Sequence, residues 1–181
     1  SCKGGPNDPT VNIDCIDGRI VEVIVYGHSL NVSFVVPTPL LDLTAMTSLT
    51  LRATTTQHQF ATLPPSINRL SRLTSLVFQE TGLQGTLPVT LGQLTLLKRL
   101  DLGSNSFIGS VPPSLAQLRL LQHFSIAGST HLSGTLPPFD FSQFTVCCDL
   151  NGDNNFTCPL PVGASSCNPS AGTGCWNSRG V

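Results

Sequence analysis

The sequence predicts a solenoid in which about six short units stack side by side, each giving one strand to a parallel sheet, between cysteine-rich caps. Three observations carry this reading. A leucine-rich pattern recurs along the middle of the chain, a Val-Pro or Leu-Pro pair returns in step with it, and the seven cysteines sit only at the two ends.

The pattern is clearest in Leu97-Lys-Arg-Leu100-Asp-Leu102-Gly-Ser-Asn105-Ser-Phe107-Ile-Gly109-Ser-Val111-Pro112, which has near copies on both sides. The second apolar residue of each L-x-L core falls at Val25, Leu51, Phe78, Leu102, Ile126 and Leu150, with spacings of 26, 27, 24, 24 and 24. Pro37, Pro64, Pro88, Pro112 and Pro137 keep the same phase, each followed by an apolar residue: Leu40, Ile67, Leu91, Leu115, and Phe139 or Phe141. A period of this length is the signature of stacked supersecondary units.

Within a unit, alternation at L-x-L makes a short strand whose apolar residues point inward while the residue between them faces out. Asn105 stands where the chain leaves the strand, a place where an inward amide satisfies backbone groups, and Gly109 permits a tight turn before Val111-Pro112. Proline then suits an extended or 3₁₀ return on the outer side. A lone unit buries only part of its inner side, so neighbours must stack and the outermost units need caps.

The caps are where the cysteines lie: Cys2, Cys15, Cys147, Cys148, Cys158, Cys167 and Cys175. Free thiols or a zinc site are the competing readings, but the chain has no pair of C-x2-C motifs, and thiols gathered in Gly/Pro-rich ends point to disulfides in an oxidising compartment. The odd seventh cysteine is left for an intermolecular bridge. The organisation expected is a cap over residues 1–19, repeats over 20–161 with the last one degenerate, and a Cys-rich cap or tail over 162–181.

Only 10% of the residues are charged, with 9 Lys and Arg against 10 Asp and Glu. So sparse a surface has no basic stripe to neutralise phosphates and no Lys/Arg cluster to read anionic lipid, so nucleic acid and charged membrane are poor partners. Two sequons, at Asn31 and Asn155, offer N-linked glycans as the substitute solubilising device. No apolar run approaches the roughly 20 residues of a membrane span. The chain opens Ser1-Cys2-Lys3 without an apolar signal segment and is read as mature and soluble.

These residues resemble the plant-type leucine-rich repeat, L-x-x-L-x-L-x-x-N-x-L-x-G-x-I/L-P-x-x-L-G-x-L, which Leu97 to Leu118 match almost fully; the likeness spans roughly residues 18 to 161. Cys15-Ile-Asp-Gly18-Arg19-Ile20-Val21-Glu-Val23 is similar to the end of that family's N-terminal cap, which implies Cys2 as the partner of Cys15. His28, Thr54, Thr81, Ser129 and Asp153 depart from the usual Asn, and segments 26–36 and 52–63 are longer than the pattern allows. The resemblance implies an α/β-horseshoe-class solenoid, with short parallel strands on the concave face and 3₁₀ or extended structure on the convex side. It also implies a secreted or cell-surface role in binding, inhibition or matrix structure.

The outward strand positions should form the recognition face: Glu22, Ile24, Tyr26, Thr50, Arg52, Val77, Gln79, Arg99, Asp101, His123, Ser125 and Asp149. A docking patch for a protein or carbohydrate ligand is placed at Tyr26, Arg52, Gln79, Arg99, Asp101 and His123, since Arg and Tyr anchor interfaces. The competing reading is a plain solvated sheet face. Asp149, Asn151, Asp153 and Asn155 imitate alternating calcium ligands, but the loop lacks Gly at its sixth place and Glu at its twelfth, and repeat phase explains the spacing, so no metal is assigned. His28, His58, His123 and His131 lie in different units with no catalytic signature, so no catalytic residue is assigned and the chain is read as no enzyme. Ice binding needs hydroxyls repeated from turn to turn, and Thr54, Thr55 and Thr56 form no such column. The function expected is a secreted interaction module without a cofactor. The alternative is a glycosylated structural subunit of an extracellular fibre, wall or matrix that self-associates through its ends.

Overall fold

The structure, a computed structural model, describes residues 11–17, 19–27, 38–53, 62–129, 131–150, 152, 154–157 and 161–167. His28, Asn31, the Thr54 to Thr56 run, His58, Asn151, Asp153, Cys2, Cys158 and Cys175 lie outside the described residues.

The strands are β1 (Val11–Ile16), β2 (Arg19–Gly27), β3 (Ser48–Ala53), β4 (Ser75–Gln79), β5 (Gln84–Thr86), β6 (Arg99–Asp101), β7 (Ser106–Ser110), β8 (His123–Ser125), β9 (His131–Gly134), β10 (Cys147–Asp149) and β11 (Asn155–Phe156). Short 3₁₀ helices return the chain: η1 (Thr38–Asp42), η2 (Pro65–Arg69), η3 (Val89–Gln93), η4 (Pro113–Gln117), η5 (Phe141–Gln143) and η6 (Ala164–Cys167). A seven-stranded sheet runs β1-β2-β3-β4-β6-β8-β10, parallel throughout except for β1. This is the leucine-rich-repeat solenoid that the period predicts.

Each strand forms where the L-x-L core places it. Leu76, Phe78, Leu100, Leu102, Phe124 and Ile126 are all 0% exposed and stack on their counterparts in neighbouring units. Leu70, Leu94 and Leu118 close the return helices, each backbone N–H donating to the carbonyl three residues back. The prolines before these helices, Pro64, Pro88 and Pro112, hold extended backbone at φ of -71°, -71° and -61°, the value their rings impose. Gly92 packs so tightly that a Cβ there would lie 2.3 Å from the Ser114 carbonyl oxygen, which is why glycine follows Leu91 at this crossing.

Asn105 ties two successive turns of chain together. Its Oδ1 accepts from the backbone N–H of Thr81 and Leu83 and from the Thr81 hydroxyl, and its Nδ2 donates to the carbonyls of Phe78, Leu102 and Gly103. Thr81, read from sequence as a departure from Asn, is therefore a working partner of the next unit's Asn. The spacing assigns Asp153 to the same place in the last unit. Its neighbour Asn154, 5% exposed, is the residue whose Oδ1 accepts from Leu132 N–H, at 3.1 Å.

Two features add to the sequence reading. The extended segments after the Asn position pair into a second sheet, ordered β11-β9-β7-β5. Gly85, Gly109 and Gly134 each adopt φ of 78°, bending every unit identically, so that the strands stay in register from turn to turn. At the other end, β1 pairs antiparallel with β2 and covers the first parallel strand, although the cap carries no repeat signal.

The cysteines divide by strand direction. Cys148 points inward and is bonded to Cys167 of η6, which is 1% exposed. Cys15 is also disulfide-bonded. Cys147, grouped with the staple cysteines from sequence, is a free thiol, because alternation turns it to the opposite face from Cys148. Phe124, Phe139, Phe141 and Phe144 fill this end of the core, with ring centroids 5.3 to 6.1 Å apart.

Candidate functional site

Strand register sorts the outward residues of the large sheet into rows that cross the strands. Glu22, Ser48, Ser75, Arg99, His123 and Cys147 form one row, and Ile24, Thr50, Val77, Asp101, Ser125 and Asp149 form the next. Tyr26, Arg52 and Gln79 pair in a third row across β2, β3 and β4. The six residues placed in one patch from sequence thus fall into two groups by register, and side-chain contacts join Arg99, Asp101 and His123.

Asp101 is the centre of that cluster. One carboxylate oxygen accepts from Arg99 Nη2 at 2.9 Å and the other from the Gly103 amide at 3.3 Å, and His123 Nε2 lies 3.6 Å from the first. The side chain is only 7% exposed. Burial by itself would push this carboxyl up. His123, the Gly103 amide and Arg99 together outweigh that burial and hold Asp101 below the ordinary carboxylate value. The imidazole, beyond normal hydrogen-bond length, acts on it as a close dipole.

The row through Asp101 is not the solvated face that a half-buried sheet usually shows. Val77, Asp101 and Ser125 are 3%, 5% and 7% exposed. Arg99, with its side chain 37% exposed, is the part of the cluster that meets solvent. The two ring nitrogens of His123 are buried, and among the described residues neither has a hydrogen bond within 3.5 Å, Nε2 facing the Asp101 carboxylate at 3.6 Å.

Cys147 is the residue that sequence reading left out of this face. It sits opposite His123 in the register of β8 and β10. The signal was present, since Asp149 had been placed outward and Cys147 stands two residues before it in the same strand. A thiol beside an imidazole suggests nucleophilic chemistry, but burial first, then Asp149 and Asp101, raise the Cys147 pKa. The thiol is kept protonated, the reverse of an activated cysteine. Among the described residues, no group of three or more His, Cys, Asp or Glu side chains is placed to hold a metal ion.

A family model described as Leucine Rich Repeat matches residues 96–118, the unit that carries Arg99 and Asp101. Curated protein sequences give no match. Among solved structures, the chain is similar to the plant peptide hormone receptor RGFR1 in complex with RGF2, at 24% identity and a TM-score of 0.62, over 74% of this chain and 21% of that one. A plant ice-binding protein aligns at 25% identity and a TM-score of 0.69, over 90% of this chain and 51% of that one. The leucine-rich-repeat ectodomain of the receptor kinase SOBIR1 from Arabidopsis thaliana aligns at 22% identity and a TM-score of 0.65, covering 85% and 86% of the two chains. The chain thus spans about a fifth of the first of these proteins and half of the second.

The fold is the leucine-rich-repeat solenoid, and residues 96–118 carry a leucine-rich repeat that the family model matches. The L-x-x-L-x-L-x-x-N unit and the second sheet give it a fold similar to that of these plant ectodomains.

Proposed function

We propose that this chain is an extracellular, non-enzymatic interaction module that takes a protein or glycan partner on its concave sheet, around Arg99, Asp101 and His123. The observation that carries the reading is the Asp101-centred cluster. A buried carboxylate fixes the Arg99 guanidinium in place before any partner arrives, so little rotamer entropy remains to be lost on docking. Arg52, exposed on β3, and Gln79 beside it in register extend the docking surface toward the first units, with Tyr26 the register partner of Arg52 on β2.

A disulfide buried against the core supports an oxidising compartment. The similar folds of a plant peptide hormone receptor in complex with RGF2 and of a receptor-kinase ectodomain support binding over catalysis. The protonated Cys147 thiol supports the same view. The likeness to an ice-binding protein does not redirect the reading. The outward rows of the described strands alternate Ile, Thr, Val, Asp and Ser in one sheet and Thr86, Ile108 and His131 in the other, so no threonine repeats from turn to turn.

The test is capture by cross-linking to the purified chain in extracellular extract, followed by titration of the captured partner against the variant carrying Arg52→Ala, Arg99→Ala and Asp101→Ala. Loss of saturable binding in a folded triple variant is the expected result. Binding equal to the parent's refutes the concave-face reading.

A further inference from the structure

The two sheets end differently at the last unit. The large sheet ends on β10, and η6 is stapled over it by the Cys148–Cys167 disulfide, with Ala164 and Cys167 3% and 1% exposed. The second sheet ends on β11, which pairs with β9 on one side and has no strand beyond it among the described residues. An unpaired strand edge templates pairing with another chain, and proteins usually guard it with charge, proline or a covering segment. β11 is Asn155-Phe156, without any charge, in a chain with few charges anywhere.

This strand also holds a complete acceptor sequon, Asn155-Phe156-Thr157. Alternation turns Asn155 and Thr157 outward, both exposed, while Phe156 is 4% exposed in the core. The Thr157 amide donates to the Gly134 carbonyl at 2.7 Å, which holds the sequon extended along β9. In register with Asn155 on the same face stand Ser133 and then Ser110, small polar neighbours that leave room for a first sugar. A substituent on Asn155 therefore displaces nothing from the core and lies on a different sheet from the Arg99–Asp101–His123 cluster.

We infer that Asn155 carries an N-linked oligosaccharide, and that this glycan covers the open edge of the second sheet as η6 covers the first. The inference rests on passage through the secretory route. There a lipid-diphosphate-linked oligosaccharide is the donor: the Asn155 Nδ2 forms a bond to the sugar C1, the C1–O bond to the diphosphate breaks, the lipid diphosphate leaves, and one amide proton passes to a base of the transferase. The side chain stays a neutral amide, so the edge gains bulk and hydration without charge. The glycan opposes the end-to-end stacking that a structural fibre would need.

The test secretes the full chain from eukaryotic cells behind a supplied leader, so that the outcome reports on the site and not on the chain's natural destination. Peptide mapping after amidase deglycosylation in ¹⁸O water is expected to find Asn155 converted to labelled Asp. Asn155→Gln and Thr157→Ala should each lose one oligosaccharide, and Thr157→Ser should keep it. In sedimentation velocity the glycosylated protein is expected to stay monomeric where Asn155→Gln and the enzymatically deglycosylated parent form larger species at an unchanged melting temperature. An unmodified Asn155 in the secreted protein overturns the site. A modified Asn155 whose removal leaves the protein monomeric, or enlarges it only by lowering the melting temperature, overturns the shielding role.

Discussion

Removing the Asn105 side chain beyond Cβ is the most informative perturbation of this fold. Asn105→Ala deletes six hydrogen bonds, with donor–acceptor distances from 2.7 to 3.2 Å, in a residue that is 6% exposed. The two backbone N–H groups of Thr81 and Leu83 lose their acceptor, and each orphaned buried donor costs about 1–3 kcal/mol. The three carbonyls suffer less, because each keeps a second lone pair, and the small cavity admits some relaxation. The sum expected is about 3–5 kcal/mol, at the high end for a single substitution. For a chain of this size that lowers Tm by roughly 10 °C. Urea titration followed by circular dichroism measures the loss, and hydrogen exchange locates it. Because a solenoid's units couple chiefly to their neighbours, lost protection should concentrate in the units holding Thr81 and Asn105 and spare β2 and β3. A loss below about 1 kcal/mol, or protection lost evenly along the array, refutes the view that this amide network holds adjacent turns together.

Three further outcomes follow from the same geometry. Gly92→Ala drives a methyl into the Ser114 backbone at 2.3 Å and should cost about 3 kcal/mol, whereas Gly82→Ala meets nothing within 4 Å and carries only the strain of φ +68°, about 1–2 kcal/mol; equal melting temperatures for the two variants contradict the crossing argument. Asp101 has its folded pKa depressed, so its contribution is full above the unfolded value near 3.9 and is lost as pH falls through and below it; urea midpoints between pH 6 and pH 2.5 should fall less steeply for Asp101→Asn than for the parent, and parallel curves count against the cluster. Alkylation of Cys147 by iodoacetamide, followed by peptide mass, should run slower at pH 7 than that of an unstructured cysteine peptide and rise at higher pH than the peptide does; a rate matching the free peptide's removes the argument against a nucleophilic thiol.

The sequence by itself determined the solenoid. A 24-residue period in Phe78, Leu102, Ile126 and Leu150 places one inward residue per turn, and stacking is the arrangement that buries such a column. It also determined the outward rows of the large sheet, since strand alternation alone assigns Arg99, Asp101, His123 and Asp149 to one face. The same rule reached Cys147 had it been applied two residues earlier.

Other features depend on contacts between residues about 25 positions apart, and no local pattern encodes those. The second sheet exists because Gly109 and its counterparts bend each unit alike and bring β5, β7, β9 and β11 edge to edge. Thr81 reads as a defect in its own unit and becomes a partner only when Asn105 of the next unit arrives beside it. Residue type likewise leaves the cysteines equivalent, and it is the direction of β10 that stitches Cys148 to the cap and leaves Cys147 facing His123. The division of the proposed patch into an Arg99–Asp101–His123 cluster and a separate Tyr26–Arg52–Gln79 row has the same origin. Periodicity says which face a side chain takes, and only the packed strands decide which charges on that face come within 4 Å of one another.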